Sequence, residues 1–178
     1  MQSDPQSSYA CAMAGFANLI AYRAEEAVTL ERRAVEMAPD SRLAIFGLGM
    51  ALAGACVWDE AIEKISRAVD ESSRAPYFLG MLAWCQAASG RQEQARQTLG
   101  ELERRAATEY VSAITPALAW SELGDQEKAR TLLGEALAER ASMLVLMNLP
   151  CFRKLRGQPL LEDLRRRLLG EVGEGAIR

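Results

Sequence analysis

Histidine is absent from this chain of 178 residues. That absence removes Ser-His-Asp and Cys-His catalysis, histidine-bearing zinc sites and phosphohistidine relay together. Aromatic residues are scarce at 6%, and six prolines with scattered glycines are too few for a disordered or turn-dominated chain. The four cysteines, Cys11, Cys56, Cys85 and Cys151, form no CxxC pair, so they read as small, reduced, buried residues rather than zinc or dithiol chemistry. No glycine-rich phosphate loop, metal-ligand spacing or nucleophile-base pair occurs either. The expectation is therefore a protein without a catalytic site, metal or cofactor.

Long hydrophobic runs are also missing. The segments Tyr9 to Tyr22 and Leu43 to Trp58 are apolar but shorter than a membrane-spanning helix needs. Asp4 is the only charge before the first of them, which lacks the basic flank of a secretory signal. A soluble, cytoplasmic protein with no membrane contact is expected. The net charge of −3 is uneven, with seven basic and four acidic residues between 151 and 178, leaving the remainder acidic. A mildly acidic body does not suggest nucleic acid as a partner. Acidic pairs such as Glu25 with Glu26 and Asp59 with Glu60 suit the positive starts of helices.

What is present is a chain 49% apolar and rich in Ala, Leu, Glu and Arg, enough for one all-α domain over residues 1–178. Its strongest feature is a period of thirty-four residues. Ala27, Ala61, Ala95 and Ala129 recur at that interval. So do Ala34, Ala68, Leu102 and Ala136, and Gly15, Gly49, Ala83 and Ala117. Small side chains in register mean helices that approach closely at equivalent places, each hairpin packing on its neighbours.

Frame openings at Ser8, Arg42, Pro76 and Tyr110 divide the chain into hairpins at about 8–41, 42–75, 76–109 and 110–141, with a cap at 142–170. Gly90 and Gly124 mark turns in the left-handed conformation. Tyr22 and Cys56 hold the same site in the first two hairpins, so those turns are expected to close differently. Pro116 falls inside the first helix of the fourth hairpin, which should start late or kink. The cap reads as a short helix from Ser142 to Asn148, a loop through Gly157, and an amphipathic helix from Pro159 to Leu169. That last helix would turn Leu160, Leu161, Leu164, Leu168 and Leu169 inward over the open end of the stack. The basic residues Arg153, Lys154, Arg156, Arg165, Arg166 and Arg167 read as its solvated face. The tail from Glu171 to Arg178 is expected to fray.

The period and motif together resemble the tetratricopeptide repeat. The second hairpin carries the pattern in Leu48, Gly49, Trp58, Ala61, Ile65 and Ala68, and the first contributes Gly15, Ala27, Ala34 and Pro39. The likeness covers Ser8 to Ala141. Departures are Glu31, where an apolar residue is usual, and Asn18 and Gln86 in place of an aromatic. The run from Leu123 to Asp125, with Glu127, Ala129, Leu133, Leu149, Pro150, Phe152, Leu155, Arg156, Pro159 and Leu161, is similar to C-terminal repeat regions of bacterial winged-helix regulators, kinases and cyclases. On that likeness the chain is either a piece of such a protein or a free-standing relative.

The resemblance implies an α-solenoid of about four hairpins in a right-handed superhelix with a C-terminal capping helix. It also implies a non-catalytic scaffold or adaptor whose first helices line a concave, apolar groove for a protein or peptide partner, a second copy of the chain included. The residues expected there are Phe16, Phe46, Met50, Tyr77, Met81, Trp84 and Leu118. The alternative is a sensory or regulatory module of a bacterial signalling or transcription system, taking a small ligand or an effector domain. The clamp by which some relatives grip acidic chaperone tails is not expected, since Ala12, Phe16, Gly47, Tyr77 and Met81 stand at its basic and polar sites.

Overall fold

The computed structural model describes residues 7–139, 147–157, 159, 161, 162 and 166. These residues are helical and contain no strand. The helices are α1 (Ser8–Ile20), α2 (Ala24–Met37), α3 (Arg42–Gly54), α4 (Trp58–Glu71), α5 (Pro76–Ala88), α6 (Gln92–Arg105), α7 (Ile114–Leu123) and α8 (Gln126–Ala138), followed by a 3-10 helix at Pro150–Leu155. They pack in consecutive pairs, α1 on α2, α3 on α4, α5 on α6 and α7 on α8, and each pair rests on the next.

The first three hairpins begin at Ser8, Arg42 and Pro76 as the period requires. The fourth begins late, at Ile114, which leaves Pro116 in the first turn of α7, where a missing backbone donor is harmless. The small-residue series lie at the helix contacts. Ala27, Ala61 and Ala95 are fully buried, as are Ala34, Ala68 and Ala136. A Cβ on Gly49 would stand 2.7 Å from Ile65 Cγ1. The first helices α3 and α5 bury most of their surface, whereas α4 buries one stripe and presents Asp59 and Glu60 in its first turn.

Turns at Tyr22, Cys56, Gly90 and Gly124 overturn the expectation that the first two differ. All four residues have positive φ, at 62°, 61°, 85° and 88°. Each donates to the carbonyl three residues back, and the following residue donates to the carbonyl five back, as in Cys56 to Ala53 with Val57 to Leu52 and in Gly90 to Ala87 with Arg91 to Gln86. Two side chains other than glycine are therefore held in a conformation that costs each about 1 kcal/mol.

Residues 147–157 touch both of those turns. Tyr22 Oη donates to Asn148 Oδ1 at 2.9 Å, the Arg156 guanidinium lies 4.4 Å from the centre of the Tyr22 ring, and Arg153 Nη1 donates to Cys56 Sγ at 3.3 Å. The 3-10 helix packs on α3 and α7, and Leu149, Cys151, Phe152 and Leu155 enter the main core. The segment thus lies against the first-helix face, on α3 and on α7 of the fourth hairpin. Met147 and Asn148 form a turn and not the end of a helix. Residues 142–146, most of the expected final helix (Leu160, Leu164, Leu168, Leu169, Arg165 and Arg167) and the tail 171–178 lie outside the described residues, while Pro159, Leu161, Glu162 and Arg166 are helical.

Ion pairs link successive hairpins on the outer surface: Arg32 to Glu60 at 2.7 Å, Lys128 to Glu103 at 2.8 Å, Arg91 to Asp59, and a two-pronged contact from Arg74 to Glu101. Exposed pairs of this kind contribute roughly 0 to 1 kcal/mol each. They set register more than stability.

Candidate functional site

A cleft of about 620 Å³ opens on the face made by α1, α3 and α5. Its walls come from Ala12, Met13, Phe16 and Leu19 of α1, Arg42, Leu43, Phe46, Gly47 and Met50 of α3, Tyr77 and Phe78 of α5, and Leu149 of the returning segment. The junction between the second and third hairpins is filled by rings. Phe46 meets Phe78 edge-on with centroids 4.9 Å apart and Tyr77 at 5.7 Å, and Tyr77 meets Phe78 at 5.5 Å. The rim is wet but apolar, since Leu43 and Tyr77 are 48% and 44% exposed.

Glu31 of α2 also lines the cleft, although its residue is 2% exposed. Its carboxylate is wedged between two glycines: a Cβ on Gly15 would stand 2.7 Å from Oε1, and one on Gly47 would stand 2.6 Å from Oε2. Oε2 is buried with no hydrogen-bond partner. Burial without a donor raises the carboxyl from 4.5 to about 8, so the acid is largely protonated at neutral pH. The same desolvation pushes the nearby Tyr77 phenol up to about 12.

Of the expected groove residues, Phe16, Phe46, Met50 and Tyr77 line this cleft. Met81, Trp84 and Leu118 do not. They are 0%, 1% and 1% exposed and belong to the core, with Leu149, Cys151, Phe152 and Leu155 from the returning segment packed into the same cluster. Trp84 also meets Trp58 edge-on at 6.3 Å, and its Nε1 is buried without a partner. The face is open over the first two hairpins and the start of the third, and closed beyond.

Two other expectations change. Cys56 is exposed, whereas Cys11, Cys85 and Cys151 are buried, with the Cys85 thiol pushed up to about 12 and Cys151 raised further by its surroundings. The basic residues Arg153, Lys154 and Arg156 are engaged within the chain: Lys154 Nζ donates to the Glu122 carbonyl at 2.9 Å, and Arg156 Nη2 donates to the carbonyls of Asn148 and Leu149 at 2.7 and 3.0 Å.

Glu31, Phe78, Arg42, Leu43 and Leu149 are lining residues that the sequence frame does not place in the groove. The signal for Glu31 is its departure from the repeat. Ile65, Leu99 and Leu133 hold the equivalent sites, all buried.

Comparison with protein-family models, curated proteins and solved structures returns no match. Among the described residues no helix is long and apolar enough to cross a membrane.

Proposed function

We propose that the chain is a non-catalytic helical-repeat scaffold of tetratricopeptide type that binds a protein segment along α1, α3 and α5. The carrying observation is the cleft itself, apolar on nearly all sides and continuous with an exposed apolar rim. Tyr9 and Met13 stand one turn apart on α1, and Leu43 and Tyr77 continue the surface on α3 and α5. A strip of aromatic, methionine and leucine side chains suits the apolar face of an amphipathic helix. The solenoid form with right-handed superhelical twist belongs to the same reading. It is supported by the thirty-four-residue recurrence of helix starts at Ala24, Trp58, Gln92 and Gln126.

A second reading has one specific observation behind it. A cleft of about 620 Å³ with a single buried acid among apolar walls is also the size and make-up of a small-molecule pocket. On that reading the chain is a sensory or regulatory module, and its effector is another protein or domain.

The test is affinity capture from the source cell with the wild-type chain beside Leu43→Glu and Tyr77→Glu. Leu43 is exposed enough to accept a charge, Tyr77 stands at the rim with its phenol partly desolvated, and circular dichroism checks the fold of each variant. Loss of one protein from both variants supports the scaffold. Unchanged capture retires the groove, light scattering that reveals a dimer sensitive to the same variants assigns it to self-association, and a metabolite retained in native mass spectrometry favours the sensory module.

A further inference from the structure

We infer that the slot between Gly15 and Gly47 is a cation-recognition subsite, in which the Glu31 carboxylate receives the ammonium group of a lysine carried by an amphipathic helical segment of a partner protein. The inference rests on the peptide-binding reading above and adds the chemistry of the occupant.

Two departures from the repeat coincide in space at this slot. Glu31 stands where the other hairpins have Ile65, Leu99 and Leu133. Gly47 stands where they have Met13, Met81 and Thr115, and the space a side chain would take there is filled by the Glu31 carboxylate. An acid enclosed in a core position without a donor does not stabilise the free protein. A buried carboxylate without a donor destabilises the fold, and the apolar residues of the other hairpins show what a purely structural solution looks like.

Among the described residues the protein supplies Glu31 Oε2 with no donor. Arg42 is the one cationic side chain on the flanking helices α1 and α3, and its Nη1 is turned to the Glu71 carbonyl at 3.1 Å. The remaining walls are apolar side chains and glycine, apart from the phenol of Tyr77 at the rim. A donor for the edge of Glu31 that lines the cleft therefore comes from outside, since Oε2 itself is enclosed.

The shape of the slot selects among cations. A guanidinium fork needs both carboxylate oxygens open in one plane, whereas Oε2 is shut in against Gly47. An ammonium is a compact charge on a flexible stem, and its methylenes can lie along Phe16 and Phe46 while the head reaches the acid. The rim selects among sources. Tyr9, Met13, Leu43 and Tyr77 extend the apolar surface past the slot, which a small amine would leave wet and an amphipathic helix would cover.

The experiment is a display library of short amphipathic helices panned against the wild-type chain, Glu31→Gln and Tyr77→Glu, with Leu43→Glu as the second groove variant should Tyr77→Glu misfold. The wild-type chain should enrich sequences with lysine at one position between leucine, methionine or phenylalanine. Glu31→Gln should keep the apolar pattern, lose the lysine, and bind the lysine peptide about ten-fold more weakly, the scale of a lost charge-assisted bond. Calorimetry at neutral pH in two buffers of different ionisation enthalpy should show the wild-type chain releasing close to one proton on binding that peptide, and Glu31→Gln releasing none. Enrichment without lysine, or lysine enrichment that survives in Glu31→Gln, overturns the subsite and leaves the groove standing. No enrichment above the groove variants overturns the peptide reading and the subsite with it. Binding of n-octylamine that depends on Glu31, without peptide enrichment, overturns it in favour of a small amine.

Discussion

Gly47 of α3 faces the Glu31 carboxylate of α2 so closely that a Cβ on the glycine would stand 2.6 Å from Oε2 and 2.7 Å from Cδ. The same carboxylate limits Gly15 on the other side, at 2.7 Å from both Cγ and Oε1. Gly47→Ala and Gly15→Ala should each destabilise the protein by about 1 to 3 kcal/mol, because the acid is enclosed and must be displaced. In a Glu31→Ala background the atoms in question are gone, and the penalty should shrink to a fraction of that. Urea melts of the four-member cycle measure the coupling. Equal costs in both backgrounds would show that the close approach is not the cause.

Titration of Glu31 makes stability depend on pH in the direction opposite to an ordinary ion-paired acid. Its carboxyl is raised from 4.5 to about 8, so between those values the folded state holds a proton that the unfolded state releases. The contribution is fully present below about pH 4.5, falls as pH rises, and is lost above about pH 8. At roughly 1.4 kcal/mol per pH unit the span is on the order of 5 kcal/mol. The flanking helices hold no second carboxylate; their other titratable or charged groups are Tyr9 and Cys11 on α1 and Arg42 on α3. Glu31→Gln should remove most of the decline between pH 5 and pH 8, giving a variant more stable than wild type at the alkaline end. Thermal melts across that range check it, and parallel curves for the two proteins would refute the assignment.

How far the sequence reaches can be seen from Glu31 and Phe152. The helix starts and turn positions follow from a period, and a period is local information repeated, so Ser8, Arg42, Pro76, Gly90 and Gly124 are readable without any long-range knowledge. Part of the cleft is readable for the same reason, because Phe16, Phe46, Met50 and Tyr77 hold groove positions in the frame. The slot is not. Glu31 stands out as a departure, but its meaning depends on Gly47 in the next hairpin, which looks unremarkable alone. The burial of Met81, Trp84 and Leu118 in one core cluster with Phe152 is beyond the frame altogether, because the segment around Phe152 returns from the far end of the chain and is held by contacts such as Arg153 to Cys56 that have no periodicity.

The left-handed turn at Cys56 offers a substitution that should stabilise. Its φ of 61° matches the φ of 85° and 88° at Gly90 and Gly124, and glycine adopts that region without the Cβ penalty. Cys56→Gly should gain up to about 1 kcal/mol, less the weak Arg153 contact to the thiol. Tyr22→Gly, at the equivalent site, should gain nothing or lose, because the Tyr22 ring and hydroxyl hold Arg156 and Asn148. Denaturant midpoints for the two variants distinguish them, and a stabilising Tyr22→Gly would show that the returning segment is not fastened there.

Gly80 is a point of close approach between the third and fourth hairpins. A Cβ there would stand 2.0 Å from Thr115 Oγ1 and 2.3 Å from Thr115 Cβ, and Thr115 is itself buried at 2% exposure. Removing the hydroxyl does not relieve the second contact, so the obstacle is the approach of the two helix backbones and not the end of a flexible side chain. Gly80→Ala should cost about 3 kcal/mol or more. Thr115→Ala should fail to rescue it, while Thr115→Gly should recover part of the loss after its own helix penalty of about 1 kcal/mol. The consequence extends to the cleft, because α5 carries Gly80 and, one turn earlier, Tyr77 and Phe78. A forced shift of α5 away from α7 should loosen the ring cluster with Phe46, read as a change in near-ultraviolet circular dichroism at temperatures where the variant remains helical. Full rescue by Thr115→Ala would place the clash at the hydroxyl and leave the backbone approach of α5 and α7 with room to spare.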